Sequence, residues 1–555
     1  MSFTLRNRIR RSLATRRSLS LAAVALASLL WGGAHTAGQQ NGASRRGDAP
    51  TPSEHVLTPS ERRGKELYLR GTSAAGREVL AYLGDASLEV PASTVTCGSC
   101  HGLHGEGKSE GGVVPGNLTW EALTKPYGHT HASGRKHQAF DDATLAQAIT
   151  KGVDPSGNRL ATVMPRYDFK RDELADLTAY LKRIASDRDP GLSETSITVG
   201  SLLPTAGPQG EIGQTMRAVI NSYFAEVNAQ GGIYGRRVEV RFGETSDTEA
   251  RAQAERFLER EQVFAMTGGV MAGAEEELTR LAAEREVPVV GPFTLFPQTG
   301  TPLNRQVFYL FSGLEEQARA LVDFAGQKSS DVKSSAAALV YAEDDLPAGV
   351  GPTVERQFRK DGWKNVRLLK YRHEGFDAAR LAREASQAGV LLFLGSGAEE
   401  KALLAEAAKA NWTPTVLLLG PLSGPEVFAA PAGFRQKIFL AFPSAPSDQT
   451  RDGVAEFRAF TERHQLPARH LAAQLSAYCA AKILVEGLKR AGRELSREKL
   501  IDALEGLYEF NTGLTPPITY GPNRRVGADG AYVIEVDLTN RQFVPASNWI
   551  TPSGD

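Results

Sequence analysis

The chain has few cysteines, no excess of either charge and almost no long apolar segment. Three cysteines in 555 residues cannot form the dense disulfide framework of small secreted domains. Lysine plus arginine and aspartate plus glutamate both total 64, so no basic field exists for nucleic acid and no nucleic-acid partner is expected. Beyond the N-terminal segment no apolar run is long enough to span a bilayer. The length instead predicts two or three domains.

The N-terminal segment has the layout of a bacterial export signal. Residues 6–17 carry six arginines and no acid, residues 18–31 are almost wholly apolar, and small residues follow. This pattern predicts a signal peptide over residues 1–37, cleaved near Ala34 or Gly38, and therefore a periplasmic protein. Residues 38–57 are rich in Gly, Pro, Ser and Gln without apolar periodicity, which predicts a flexible linker.

The sequence Cys97-Gly98-Ser99-Cys100-His101 is typical of the covalent attachment site of a c-type haem. The two thiols are spaced to bond the two vinyl groups of one porphyrin, and the histidine supplies an imidazole to the iron. A redox dithiol and half of a zinc site are the alternatives, although no second cysteine pair exists to complete a zinc set. The motif predicts one covalently bound haem c.

The sixth iron ligand is predicted to be Met164. It is the only methionine between the haem motif and Ile184, and Pro165 after it restricts the backbone. His/Met ligation is common in electron-carrying cytochromes c. The rival ligands are four histidines in Gly-rich, polar surroundings: His104, His129, His131 and His137. Residues 129–137 could also form a surface metal site.

Three amphipathic segments predict a small helical domain over residues 58–188. They are Ser60–Leu69, Thr144–Lys151 and Arg171–Ile184, the last with leucines and Tyr180 recurring at helical spacing. One helix before the haem motif and one at the end, with loops between, is an economical way to wrap a porphyrin.

Residues 58–186 resemble a class I cytochrome c domain of the bacterial membrane-dehydrogenase or oxidase-subunit kind. The stretches that carry the resemblance are Gly64–Tyr68, Cys97–His101, Pro115–Leu118 and Met164–Tyr167. The resemblance implies that the two cysteines anchor the haem, that His101 and Met164 bind the iron, and that the carbonyl of Pro115 orients the imidazole. Thr72–Thr96 is longer than in minimal members, which implies a different covering of the haem edge.

After a second linker at 189–195, residues 196–555 alternate short apolar runs with helical segments. This is the pattern of parallel strands buried on both faces. The predicted strands are Ile197–Leu203, Arg237–Phe242, Val263–Thr267, Val287–Val290, Ala336–Val340, Val390–Leu394, Val416–Leu419 and Ile438–Phe442. About 360 residues exceed one sheet, so two doubly wound lobes are expected.

This second region resembles the type I periplasmic solute-binding proteins of the branched-chain amino acid and amide class. The stretches are Gly200–Pro208, Val227–Arg236, Val287–Pro292 and the helix that contains Ala477-Tyr478. The resemblance implies two lobes that close over a small solute, and an ABC permease as a possible partner in amino acid transport. We expect lobe one to comprise roughly 196–312 and much of 444–515, and lobe two most of the remainder.

A solute pocket is expected where loops at the carboxyl ends of strands meet. The candidate residues are Thr205, Gln209, Gly269, Ala272, Phe293, Thr294, Tyr341 and Glu343. Met271-Ala272-Gly273 and Leu346-Pro347 stand where the family often has a hydroxyl residue and Tyr-Gly, which argues against an amino acid. Phe293, Leu295 and Phe296 favour a less polar or aromatic solute.

These features predict a periplasmic electron-transfer protein with a module that binds or senses a solute, or docks a partner dehydrogenase. The alternative is an ABC-transporter substrate-binding protein with an accessory haem. An enzyme such as a haem peroxidase is disfavoured, because a Met164 ligand leaves no open iron position. The short connection Ser186–Thr195 predicts that the haem lies close to the hinge, so that closure alters haem exposure.

Overall fold

A small, mainly helical domain precedes a larger domain built on two sheets in the computed structural model of the chain. The structure describes residues 57–84, 87–107, 114–131, 133–187, 189–207, 209–246, 249–271, 273–328, 336–344 and 346–553. The predicted signal peptide and nearly all of the first linker therefore lie outside the described residues, as does Ala272.

Three helices of the small domain lie close to the predicted positions: α1 (Pro59–Arg70), α4 (Asp142–Lys151) and α5 (Arg171–Arg183). Two short helices, α2 (Cys97–His101) and α3 (Trp120–Leu123), lie where loops were expected. A capping box of Thr58 and Glu61 starts α1, and Gly71 ends it with a φ of 63°. The first and last helices pack closely at Gly64, where a Cβ atom would lie only 2.0 Å from the carbonyl oxygen of Asp176.

Two small antiparallel sheets supplement these helices. The strands are β1 (Leu80–Leu83), β2 (Leu88–Pro91), β3 (His129–Thr130), β4 (Lys136–His137) and β5 (Arg166–Tyr167), in the orders β2-β1-β5 and β3-β4. Tyr82 pairs with Arg166, so the long stretch Thr72–Thr96 forms a hairpin that is joined to the residues immediately after Met164. The sequence analysis did not anticipate this hairpin.

The larger domain contains the predicted alternation of strands and helices. Its helices are α6 (Gly210–Ala229), α7 (Ala250–Glu261), α8 (Glu275–Glu284), α9 (Leu314–Lys328), α10 (Val350–Lys360), α11 (Ala378–Ala385), α12 (Gly397–Lys409), α13 (Arg451–Arg463), α14 (Leu471–Ala491) and α15 (Arg497–Glu505). Its strands are β6 (Ser196–Leu203), β7 (Arg237–Glu244), β8 (Ala265–Thr267), β9 (Val289–Val290), β10 (Val307–Phe311), β11 (Ala336–Ala342), β12 (Val366–Tyr371), β13 (Ala388–Leu394), β14 (Thr415–Leu419), β15 (Ile438–Phe442), β16 (Val526–Ala528), β17 (Tyr532–Asp537) and β18 (Gln542–Pro545).

These strands form one sheet in each of two lobes. Lobe one has the parallel order β16-β10-β9-β8-β6-β7, and lobe two has the order β12-β11-β13-β14-β15-β17-β18, in which β17 and β18 are antiparallel. The chain passes between the lobes after β10, after β15 and after β16, so lobe one also includes residues beyond 515. The expected two-lobed α/β fold is confirmed.

Helix α14 is long and apolar enough to span a membrane by length and composition alone. In the structure most of this helix is buried. Its residues Ala477, Ile483 and Leu484 are part of the lobe-one core, which explains the composition without a membrane.

Charged side chains join the small domain to lobe one. On α1, the Lys65 ammonium lies 3.0 Å from a carboxylate oxygen of Asp187 and 3.3 Å from one of Glu286. Further along the same helix, Arg70 lies 2.8 Å from Glu498, which also binds Arg305 at 2.8 Å. The two domains are therefore in direct contact.

The second linker is part of this contact. The backbone N–H of Thr198 donates to the carbonyl of Gly191 at 2.7 Å, and that of Arg497 donates to Asp189 at 2.7 Å. The contact lies at the amino edge of the lobe-one sheet, because Glu286 precedes β9 and Arg305 precedes β10. A solute cleft formed by carboxyl-end loops would lie at the opposite edge.

Candidate functional site

His101 is held as a neutral, oriented imidazole. It is the last residue of α2 and is buried, and its Nδ1 donates to the carbonyl oxygen of Gly116 at 2.8 Å. Burial lowers the pKa of His101, partly opposed by this hydrogen bond. With Nδ1 committed as a donor, the lone pair of Nε2 is the one available to a metal.

The accepting carbonyl is one residue later than expected. Pro115 was predicted to orient the imidazole, whereas the structure assigns this role to Gly116. The Pro115 carbonyl instead faces Gly107, where a Cβ atom would lie 2.6 Å from its oxygen. Gly107 has a φ of 80° and its N–H donates to the carbonyl of His101, so the loop closes around a position that excludes a side chain.

The two thiols stand at the start of the same short helix. Cys97 is its first residue and half-buried, and Cys100, three residues on, is exposed; both are free thiols. The helix is packed against α1, since Tyr68 donates to the carbonyl of Gly102 at 2.7 Å. Two thiols and one oriented imidazole on a single turn fit a c-type haem and its iron.

Met164 is positioned by the loop that leads into β5. Its side chain is half-buried, and its N–H donates to the carbonyl of Ala161 at 3.0 Å. The guanidinium of Arg166 donates to the carbonyl of Met164 and, at 3.3 Å, to that of Leu160. Gly152 makes room for this guanidinium, because a Cβ atom there would lie 1.8 Å from its Nε. The loop is therefore closed around Arg166.

The structure gives no support to a metal site made by residues 129–137. Within the described ranges, no group of three or more His, Cys, Asp and Glu side chains is arranged to hold a metal ion. The three histidines of this segment do lie together on the β3–β4 hairpin, beside the loop that holds His101.

In lobe one, the structure brings the loops after β8 and β9 together. The N–H of Phe293 donates to the carbonyl of Gly269 at 2.7 Å, and that of Met271 donates to the carbonyl of Phe293 at 3.2 Å. The hydroxyl of Thr294 donates to the buried Glu275 at 2.8 Å. Burial raises the pKa of that carboxyl group, although the hydroxyl of Thr294 opposes the shift.

Two further lobe-one candidates follow β6. Thr205 is exposed, and Gln209 is half-buried at the start of α6. They occupy the carboxyl edge of the sheet, as do Gly269 and Phe293, so these four candidates share one edge.

In lobe two, Tyr341 is part of the core, and Glu343 lies at the surface. The Tyr341 ring is 5% exposed and packs against Gly351, where a Cβ atom would lie 2.5 Å from the ring. Glu343 lies 3.1 Å from Arg372. Three residues that were not among the pocket candidates share one apolar cluster at this side: Leu346 belongs to the lobe-two core, and Phe296, from the loop between β9 and β10, and Leu422 pack against that core. Their separation in sequence hides this cluster.

Two carboxylates of α12 lie beside these residues at the carboxyl edge. Glu399 accepts from Tyr371 at 2.9 Å and pairs with His373 at 2.6 Å; burial would raise its pKa, but hydrogen bonds, first from Ser396, lower it overall. Glu400 is 1% exposed and accepts from Ser423 at 2.8 Å, and burial raises its pKa to about 7.

Comparisons with known proteins agree with this architecture. The family described as periplasmic binding protein matches residues 196–542, and the family described as cytochrome c matches residues 92–185. The Leu/Ile/Val-binding protein BraC3 of Rhizobium johnstonii is 23% identical over 353 residues, which cover 63% of this chain and 93% of that protein.

Two solved structures show the same fold. A branched-chain amino acid ABC transporter protein from Thermus thermophilus with bound valine has a TM-score of 0.52 at 18% identity, covering 65% of this chain and 97% of its own. The leucine-binding protein LivK from Thermotoga maritima has a TM-score of 0.50 at 19% identity, covering 64% and 99%. Because the first family match spans more than half of the sequence, this chain belongs to the periplasmic binding protein family and carries a cytochrome c domain before its solute-binding fold.

Proposed function

We propose that the protein is a periplasmic one-electron carrier in which a cytochrome c domain is docked on a solute-binding domain. One haem c would be bound covalently through Cys97 and Cys100, with His101 and Met164 as the axial ligands. The observation that carries this proposal is the hydrogen bond from His101 Nδ1 to Gly116, which presents Nε2 to a metal beside two free thiols.

The haem supplies reversible one-electron chemistry when bound. The chain orients the proximal imidazole through Gly116 and holds the Met164 loop around Arg166. If His101 and Met164 both bind the iron, no position would be open to a substrate, and the protein would be a carrier and not an enzyme. Its partner would be a periplasmic dehydrogenase or another redox protein, and residues 1–37 would direct export.

The solute-binding domain would take a small molecule that is less polar than a free amino acid, or aromatic. The apolar cluster of Phe296, Leu346 and Leu422, together with Phe293, supports this assignment. The names of the relatives, which refer to leucine, isoleucine and valine, support an apolar side chain on the solute.

A transport receptor that delivers its solute to an ABC permease is the second candidate. One observation favours this candidate. The cytochrome domain contacts the amino edge of the lobe-one sheet, whereas the loops after β6, β8 and β9 that hold the candidate pocket residues lie at its carboxyl edge. Closure of lobe two would then leave the surroundings of the haem unchanged, contrary to the expectation from the short linker.

A spectroelectrochemical titration of the purified holoprotein tests these alternatives. The haem potential is measured alone and with pools of branched-chain amino acids, aromatic acids and alcohols, while thermal shift reports binding. A low-spin haem of high potential supports the electron carrier, and a potential that moves with one pool indicates coupled sensing. Binding without any change in potential favours the transport receptor, and a high-spin haem contradicts the Met164 ligand.

A further inference from the structure

The β3–β4 hairpin gathers three imidazoles and a guanidinium in one place. The ring centroids of His129 and His131 are 4.6 Å apart, and those of His131 and His137 are 5.1 Å apart. The Nε2 atom of His131 lies 2.7 Å from Nη2 of Arg135 and 3.1 Å from Nε2 of His137. We call His129, His131, Arg135 and His137 the histidine–arginine cluster.

The atoms of the histidine–arginine cluster cannot satisfy all of one another's hydrogen bonds. A guanidinium can only donate, so His131 Nε2 must accept from Arg135. Nδ1 of His137 donates to the carbonyl of Gln138 at 2.7 Å. If the His137 ring is neutral, its Nε2 directs a lone pair at the lone pair of His131 Nε2. If the ring is protonated, its Nε2–H group and Arg135 compete for the single lone pair of His131 Nε2. Both arrangements leave a donor or a lone pair without a proper partner, which is unfavourable away from water.

The carboxylate at the histidine–arginine cluster is already occupied. Asp154 accepts from Arg135 at 2.6 Å, from the N–H groups of Ser156 and Asn158 at 2.9 Å, and from the Asn158 side chain. Burial lowers the pKa of His131 to about 4, assisted by the positive charge of Arg135. A carboxylate from outside the cluster would accept from whichever donor, Arg135 or His137, the single lone pair of His131 Nε2 cannot serve.

The position of the histidine–arginine cluster indicates where such a carboxylate comes from. His131 Cε1 lies 3.8 Å from the position of a Cβ atom on Gly116, the residue whose carbonyl holds the proximal imidazole. A haem has two propionate carboxylates, and a haem held by Cys97, Cys100 and His101 would be bound beside the Gly116 loop that His131 adjoins. We propose that His131, Arg135 and His137 bind a haem propionate, a step that rests on the haem attachment proposed above.

The test uses the holoprotein with ¹³C-labelled haem propionates. Arg135→Gln is combined with Asp154→Asn, because removing the guanidinium alone would leave a buried carboxylate unpaired. Asp154→Asn alone and Lys136→Gln, which removes an exposed charge from the same hairpin, are the controls. Should the double variant fail to fold, His131→Gln reports on the same contact. Redox difference infrared spectra follow the labelled carboxylates, and the haem potential is recorded from pH 5 to pH 8.

We expect the labelled bands to shift in the double variant and in His131→Gln but not in the controls. The double variant loses Arg135 and its partner Asp154 together, so the net charge near the haem is unchanged and the labelled bands are the diagnostic readout. Unchanged labelled bands in folded, haem-loaded variants would overturn the proposal.

A free anion is the competing occupant of the histidine–arginine cluster. Inorganic phosphate is therefore titrated into the wild-type holoprotein, and no effect on the labelled bands is expected. A phosphate-dependent shift as large as that of the variants would assign the cluster to free oxyanions and overturn the propionate assignment. Haem content is measured first by the pyridine haemochrome assay, so that a chain without covalent haem is recognised as a failure of the proposed function itself.

Discussion

Replacing Lys65 with methionine should weaken the contact between the two domains, so that they no longer unfold together. The ammonium group is 11% exposed and lies between Asp187 and Glu286, whose side chains are 15% and 26% exposed. Burial would lower its pKa, but the carboxylates of Glu286, Asp187 and Asp189 raise it overall. Breaking a buried pair costs roughly 3–5 kcal/mol, and the partial exposure of the partners reduces our expectation to about 2–3 kcal/mol.

The raised pKa of Lys65 determines how its contribution to the free energy of unfolding depends on pH. That contribution is fully present below the ordinary lysine pKa and is lost only as the pH rises through the higher pKa of the folded state. The loss in Lys65→Met should therefore be constant from pH 6 to pH 9. It should diminish in acid, where the partner carboxylates become protonated.

Urea unfolding of the holoprotein measures this effect with two probes. Soret absorbance reports on the cytochrome domain. Tryptophan fluorescence, measured in a Trp120→Phe background, reports on the solute-binding domain through Trp363, Trp412 and Trp549. We expect coincident transitions in the wild type and, in Lys65→Met, a Soret transition about 1 M lower in urea than the fluorescence transition. Arg63→Met is the matched control, because Arg63 on the same helix pairs with Asp176 of its own domain and is 46% exposed.

The refuting result is equally specific. Arg63→Met should cost less than about 1 kcal/mol and should leave the two transitions coincident. Identical behaviour of both variants would show that the ion pairs at Lys65 do not hold the domains together.

Three further predictions concern single side chains. Met164→Ala should convert a low-spin haem into a high-spin one and lower its potential, as seen by absorption spectra and redox titration; an unchanged spectrum would assign the ligand to a histidine. Glu66 has a pKa raised to about 7, first by burial and then by Glu498, so its ionisation destabilises the fold as the pH rises from about 4.5 to 7. Glu66→Gln should therefore raise the free energy of unfolding by about 1 kcal/mol at pH 8, a value reduced for its partly exposed side chain, and by nothing at pH 4. Burial also raises the pKa of Glu400 to about 7, so its ionisation destabilises lobe two as the pH rises. Glu400→Gln should therefore stabilise lobe two by roughly 2 kcal/mol at pH 8, and an equal effect at pH 4 would contradict the role of burial.

Features that depend on residues close together in the sequence could be predicted without a structure. The haem motif occupies five consecutive residues, and the stripe of Arg171–Arg183 repeats at helical spacing, so both are visible without a fold. Most predicted strands agree with the structure within two residues, because strands buried on both faces are continuous apolar runs.

The features that were predicted wrongly or not at all depend on contacts between residues that are distant in the sequence. The hairpin of β1 and β2 has little periodicity of its own and depends on pairing with β5, eighty-odd residues later. The carbonyl that accepts from His101 is that of Gly116 and not the expected Pro115, whose carbonyl lies against Gly107 in the fold. Tyr341 follows an apolar run and was expected in the cleft, yet Gly351 provides the space that buries its ring.

The sequence by itself determined the haem-attachment motif, the order of the domains and the two-lobed α/β architecture, since each is encoded in local spacing or periodicity. Only the tertiary structure decided where the cytochrome domain docks and which loops share an edge. Lys65 and Glu286 are 221 residues apart and show no mutual signal in the chain. Their attraction exists only after both domains have folded, because opposite charges stabilise one another through space and not through sequence.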